Sequence, residues 1–478
     1  MHMSENNYVS PFSERYSSKE MQYIFSEEKK FRTWRKLWIS LAKCEQKLGL
    51  PISDQQISEL IQNQDNINYE DARRFEKEIR HDVMSHIKAY ALLCPTAARI
   101  IHLGATSCFV TDNTDIILMK EALDLVRSKL VTVMRNLADF SLKYKDMPTL
   151  GFTHLQPAQL VTVGKRSALW LNEFYMDFKE LEFVYDSLKM RGVKGTTGTQ
   201  ASFMELFDND EGKVLELDRL VCEGFGFTDP LPITGQTYSR KIDSGVLGVL
   251  ASIAQSAHKT GTDIRLLQSM KEIEEPYEKN QVGSSAMAYK RNPMRSERIC
   301  SLARYIIVNS INPEFTSSVQ WLERTLDDSA NRRLSIAEGF LAADGMLDIL
   351  INVTDGLVVN PFMIKKHITE EIPFIATENI LMESVKRGGD RQLLHEKIRK
   401  YSNIASKRIK EEGRDNNLLE LIASDKDFSC SIDDLIELTD PSKYIGRAPS
   451  QVSEFIDKYL NSIFAKYYHG HIAVDLNV

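Results

Sequence analysis

Residues 111–148 read TDNTDIILMKEALDLVRSKLVTVMRNLADFSLKYKDMP, and their spacing decides the fold. Ile116, Met119, Leu123, Val126, Leu130, Val133, Leu137 and Phe140 alternate three- and four-residue steps without a break. Apolar residues repeated in this way over more than three heptads predict one long helix with a continuous apolar seam. Thr111-Asp112-Asn113-Thr114 offers N-cap residue types just ahead of it, and Pro148 closes it. A helix of about 30 residues spans roughly 45 Å, too long for a lone compact domain to cover.

The same seam recurs. Ile242, Val246, Val249, Ile253, Ala257, Thr260, Ile264 and Leu267 predict a second long helix. A third runs from Ser329 towards Val353, and others start at Thr162 and Arg298. Strand signals are sparse, so the fold class is all-α, with a bundle of long helices at its centre. Three helical domains are expected. Residues 1–106 form short helices broken at Pro51 and Pro95, 107–359 form the long-helix block, and 360–478 form shorter amphipathic helices after Asn360-Pro361.

Composition narrows the function classes. Of 478 residues, 42% are apolar and 27% charged, as in ordinary globular proteins. A net charge of −7 argues against a general nucleic-acid or anionic-membrane binder, so no nucleic-acid or membrane partner is expected. No apolar run approaches the roughly 18 residues of a membrane span, and residues 1–10 lack a signal peptide's hydrophobic region. The six cysteines are scattered without a C-x-x-C pair, which favours reduced thiols and a cytoplasmic location. His81 and His86 are five apart, not at the i, i+4 spacing of helix-borne ligands, and no metal is expected.

The stretch Gly283-Ser284-Ser285-Ala286-Met287-Ala288-Tyr289-Lys290-Arg291-Asn292-Pro293 fits neither helix nor strand periodicity. A loop so dense in donors suits an anionic ligand; a serine-rich surface turn with a solvated Lys-Arg pair is the alternative. The segment resembles the signature loop of the fumarase/aspartase superfamily, and its Lys-Arg-Asn-Pro ending resembles the adenylosuccinate lyase branch. Ala288 stands where that family usually has proline, which loosens the loop and removes no catalytic group.

The resemblance implies a three-domain all-helical fold, a homotetramer with a central helix bundle, and active sites built from three subunits. It implies small-molecule substrates, adenylosuccinate and SAICAR, from which fumarate is eliminated to give AMP and AICAR, with neither cofactor nor metal. Ser284 is then the general base, and Lys290 and Asn292 hold a carboxylate of the succinyl group. Thr153-His154-Leu155-Gln156-Pro157 lies in a connector between two helices. Histidine suits acid catalysis near neutrality, and the Thr-His-x-Gln-Pro pattern resembles the family's general-acid motif, which assigns His154 to the leaving nitrogen.

Further motifs follow in family order. Arg80-His81-Asp82 lies in a helix beginning near Tyr69, and it resembles the first-domain motif that approaches the substrate. Thr106 and Ser107 precede the long helix, where hydroxyls and N–H groups suit a carboxylate. Arg324, Ser329 and Arg333 supply guanidinium groups and a helix-starting serine, chemistry that fits phosphate. The last three, with Arg15 and Tyr16, resemble the family's holders of the nucleotide phosphate, and Gln236 and Arg298 match further substrate contacts. Residues 192–199 read as a tight interhelical connection, not a phosphate cradle.

Two other readings compete. Argininosuccinate lyase or fumarase would share the elimination, but their substrates carry no phosphate for Arg324, Ser329 and Arg333. A silent helical structural protein has no need of both Ser284 and His154.

Overall fold

In the structure, a computed structural model, the described residues are 7–278, 281–283, 285–474 and 476. Among the described residues a π-helical turn (Phe12–Tyr16) precedes five α-helices: α1 (Lys19–Ile24), α2 (Glu27–Lys47), α3 (Asp54–Gln62), α4 (Tyr69–Ile79) and α5 (Asp82–Leu93). The bundle comprises α6 (Ser107–Lys143), α7 (Val163–Ser187), α10 (Lys241–Ser269), α11 (Met294–Asn309) and α13 (Asp328–Asp355). Short helices α8 (Ala201–Leu206), α9 (Glu211–Glu223) and α12 (Ile311–Ser318) connect them. Beyond lie α14 (Pro361–Ile375), α15 (Thr377–Lys386), α16 (Arg391–Glu412), α17 (Leu418–Ala423), α18 (Ile432–Leu438), α19 (Ala448–Phe455) and α20 (Asn461–Tyr467).

The expected seam is the core of α6: Ile116, Met119, Leu123, Val126, Leu130, Val133 and Leu137 are all fully buried. Each such side chain contributes about 1.5–3 kcal/mol by leaving water. The helix starts four residues earlier than its polar leader suggested. Thr106 ends the extended chain, and Asp112, Asn113 and Thr114 are buried inside the helix instead of capping it. Two of these polar groups serve tertiary contacts: Asn113 Nδ2 donates to Gly192 O at 3.1 Å, and Asp112 Oδ2 accepts from Tyr238 N–H at 2.9 Å.

Charged pairs set the register of the bundle. Between α6 and α13, Arg332 bonds Asp115, Lys129 bonds Asp344, and Asn136 donates to Thr354 Oγ1. Helices α6 and α13 therefore run parallel along their whole length. Helix α10 joins them in the same sense: Arg332 Nε bonds Asp243 Oδ2 at 2.7 Å, and further along Gly339 packs against Leu247 and Leu250. Helices α7 and α11 run the other way: Trp170 bonds Asp263 while Asp177 bonds Ser252, and Tyr305 bonds Glu338 while Asn309 bonds the Ser335 carbonyl. The buried ion pairs among these, Lys129–Asp344 and Arg332–Asp243, fix alignment more than they add stability.

One apolar core runs from Met21 and Trp34 through the bundle to Phe464. A second, smaller core gathers Ala376, Ile380, Leu394, Ile398, Leu418, Ile422, Phe428 and Leu435. Among the described residues the strands form two antiparallel pairs, β1 (Pro148–Thr153) with β2 (Gln156–Thr162), and β3 (Ile273–Glu274) with β4 (Val358–Val359). No helix among them is long and apolar enough to cross a membrane.

The connector that carries His154 is thus a β-hairpin, not a loop between helices. Thr153 pairs with Gln156, leaving His154 (φ 55°) and Leu155 (φ 57°) as a two-residue turn with both centres left-handed. That is the type I′ geometry, usually filled by Asn-Gly, so two non-glycine residues here hold backbone strain.

Candidate active site

A cavity of about 980 Å³ opens at the end of the bundle where α6, α10 and α13 begin. Its wall includes Arg80, His81, Asp82, Thr106, Ser107, Gln236, Arg324, Ser329 and Arg333. Nine of the sixteen residues singled out from sequence therefore meet in one place, drawn from four separate stretches of chain.

Local structure explains how each is presented. Helix α4 ends at Arg80, whose φ of 55° turns the chain, and His81 caps the next helix by accepting from Met84 N–H at 3.3 Å. The Arg-His-Asp run is thus a junction between two helices and not the interior of one. That turn removes the one-face restriction that a continuous helix would impose on three consecutive residues. Because His81 Nδ1 accepts, its neutral ring carries the proton on Nε2, which faces Ser107 Oγ at 3.4 Å. Gln236 is fixed by its main chain, which donates to Glu323 O at 3.0 Å, and its amide reaches Thr106 Oγ1 at 3.5 Å.

Helices α5, α6, α10 and α13 all start at this wall, so four positive dipole ends converge on the cavity. Built into this wall is a buried ion network. Arg240 bonds both Asp112 and Asp328, and Arg332 bonds Asp115, Asp243 and Tyr238. Burial pushes the Asp112 carboxyl up, but Arg240, Arg332 and Arg191 pull harder and leave it below the ordinary value. Asp115 is held above its ordinary value, chiefly by burial. With Arg240 and Arg332 neutralised, the wall still carries the cations Lys30, Arg80, Arg324 and Arg333 beside the carboxylates of Glu27, Glu76 and Asp82. Arg333 meets Asp82 only at 3.4 Å, and Arg324 meets Asp328 at 3.2 Å. Arg324, Ser329 and Arg333, gathered at the start of α13, suit a compact anion such as phosphate.

The remaining residues lie elsewhere. Arg15 and Tyr16 line a second cavity of about 340 Å³, where the Tyr16 main chain packs on Gly345 midway along α13. Lys290 and Asn292 sit on the donor loop beyond the far end of α10, where Asn292 Nδ2 closes the loop on Gly283 O at 2.7 Å. Arg298 is half-buried in α11. Ser284 lies outside the described residues. His154 is exposed at the hairpin tip, past the C-terminal end of α6. Since α6 is about 54 Å long at 1.5 Å per residue, the hairpin and the cavity lie at opposite ends of one chain.

Residues 10–307 match the lyase family, and residues 373–455 match the adenylosuccinate lyase C-terminus. The chain belongs to the adenylosuccinate lyase family. It is 52% identical to the adenylosuccinate lyase of Schizosaccharomyces pombe over 467 residues, 96% of each chain. It is 50% identical to that of Saccharomyces cerevisiae over 479 residues, 99% of each. The fold matches a crystal structure of fumarate lyase from Mesorhizobium sp. BNC1, with a TM-score of 0.78 at 21% identity, covering 95% of this chain and 100% of that one. At that identity the likeness speaks for the fold alone.

Several residues of the cavity wall carry no motif in the sequence. Lys30, Glu76, Thr111, Asp112, Asp115, Arg240 and Arg332 all line the cavity. The available signal was the charge inside an apolar seam: Asp112 and Asp115 interrupt the start of α6, and such charges need buried partners. Cys108 also lines the wall, but burial raises its thiol to about 11, which leaves it unreactive near neutrality.

Proposed function

We propose that this chain eliminates fumarate from adenylosuccinate, giving AMP, and from SAICAR, giving AICAR, as a carbon–nitrogen lyase of purine nucleotide biosynthesis. The observation that carries the reading is the single cavity joining Arg324, Ser329 and Arg333 to Arg80, His81, Asp82, Thr106, Ser107 and Gln236. In this reading the first three hold the nucleotide phosphate, with Arg15 and Tyr16 added from another copy. Thr106, Ser107, Gln236 and Arg298 contact the rest of the substrate.

Ser284 takes the proton from the carbon beside the succinyl carboxylate, and His154 delivers one to the departing nitrogen. Lys290 and Asn292 stabilise the dianion formed between those steps. Breaking the C–N bond leaves the electron pair on nitrogen and the new double bond in fumarate. The account needs neither metal nor cofactor.

The two ends of the bundle cannot serve one substrate within one chain. We therefore propose a homotetramer in which the hairpin and donor loop of some copies close over the cavity of another. The division into residues 1–106, 107–359 and 360–478 belongs to the same proposal, as does a cytoplasmic location, consistent with six free cysteines. Fumarate release measured in parallel from adenylosuccinate, argininosuccinate and malate tests the substrate. Release from adenylosuccinate alone is expected; preference for a phosphate-free substrate would overturn the reading.

A further inference from the structure

Glu272 lies just beyond α10 and immediately before β3, and it is fully buried. Its carboxylate meets His367 Nδ1 of α14 at 2.8 Å and accepts from Thr149 Oγ1 of β1 at 3.4 Å. Arg166 Nη1 of α7 stands 3.8 Å away, and Arg166 Nη2 donates to the Leu150 carbonyl of the same hairpin. Because a carboxylate only accepts, His367 carries its proton on Nδ1. The Glu272 carbonyl accepts from Asn360 N–H at 2.9 Å, and Asn360 Nδ2 bonds Lys271 O at 2.9 Å and Glu274 Oε1 at 3.0 Å.

Two arms leave the bundle from this point. One is the hairpin that ends in His154, and the other is the donor loop that follows β3. Glu275, three residues on, accepts from the N–H groups of Arg295 and Ser296 at 3.0 and 2.8 Å, so the loop's exit is tied to its entry. A buried anion bonded by His367 and Thr149 and facing the Arg166 guanidinium holds three different elements in one arrangement, since a displaced partner would leave charge unpaired in the interior.

We infer that Glu272 is a positioning residue for both arms, fixing the hairpin that bears His154 against the stem of the loop that bears Lys290 and Asn292. This rests on the elimination proposed above. It acts through the arms and does not touch substrate. A shift of about 1 Å at either arm is enough to cost on the order of a hundredfold in rate.

The test is Glu272→Gln, which keeps the shape and an acceptor for Thr149 but removes the charge facing Arg166 and His367. We expect kcat for adenylosuccinate to fall between about tenfold and a hundredfold while KM moves less than about threefold, because the phosphate-holding wall lies at the other end of the bundle. Thr149→Val, which cuts only the hairpin's bond, should lower kcat in the same direction by a smaller factor. A folded Glu272→Gln enzyme with wild-type kcat overturns the inference, and so does a rise in KM that matches the loss of kcat. Should Glu272→Gln not fold, Thr149→Val and His367→Gln carry the same reading, and unchanged kcat in both overturns it. Absence of fumarate release by the unaltered enzyme would instead strike the proposed function itself.

Discussion

Arg240 Nε donates to Asp328 Oδ2 at 2.7 Å, with both side chains almost wholly buried. Asp328 also faces Arg324 Nη1 at 3.2 Å, so one carboxylate joins an interior arginine to one on the cavity wall. Removing it in Asp328→Ala should destabilise the fold by about 3–5 kcal/mol, because Arg240 is left partly unpaired in the interior. Asp328→Asn keeps the shape but loses the charge that aims Arg324. Its KM for adenylosuccinate should rise about tenfold with a smaller change in kcat. Thermal melting and steady-state kinetics on the two variants check this; a folded Asn variant with unchanged KM contradicts it.

Ser284→Ala should lower kcat by about 10²–10⁴-fold, the usual weight of a positioned base, and leave helical content intact. Far-UV circular dichroism and fumarate release measure the two quantities. Turnover like that of the unaltered enzyme would remove Ser284 from the base role.

Glu45 is fully buried in α2, and neither carboxylate oxygen has a hydrogen-bond partner among the described residues. Burial raises its pKa from 4.5 to about 9. The folded protein thus keeps a proton that the unfolded chain releases above pH 4.5, so this group lowers stability progressively as pH rises from about 4.5 to 9. Glu45→Met should raise stability by about 2–3 kcal/mol at pH 7, with little gain at pH 4.5. Melting curves across that range test the sign. A gain that shrinks with rising pH would contradict the assignment.

Long periodic helices were the most legible part of the chain. The seam from Ile116 to Phe140 is the buried face of α6, and the run from Ile242 to Leu267 falls within α10. Periodicity works there because the core selects one face of each turn. The start of α6 differs from the expectation because Asp112, Asn113 and Thr114 have cap chemistry, yet Arg240 claims Asp112, Gly192 claims Asn113, and Thr114 is simply buried within the helix. The hairpin was missed because its turn uses His154 and Leu155 where Asn-Gly would have signalled it. The cavity wall was partly legible through its motifs, whereas Arg240 and Arg332 look like isolated charges until the fold brings their aspartates to them.

The central claim is that one active site takes its acid arm and its base arm from two different copies, neither of them the one supplying the cavity. Mixing measures it directly: His154→Ala and Ser284→Ala proteins, each inactive alone, are unfolded together, refolded and assayed for fumarate release from adenylosuccinate. If His154 and Ser284 of one site come from different copies, random hybrids should regain about one-quarter of the normal activity. A mixture that forms hybrid oligomers yet stays as inactive as its parents would contradict the account.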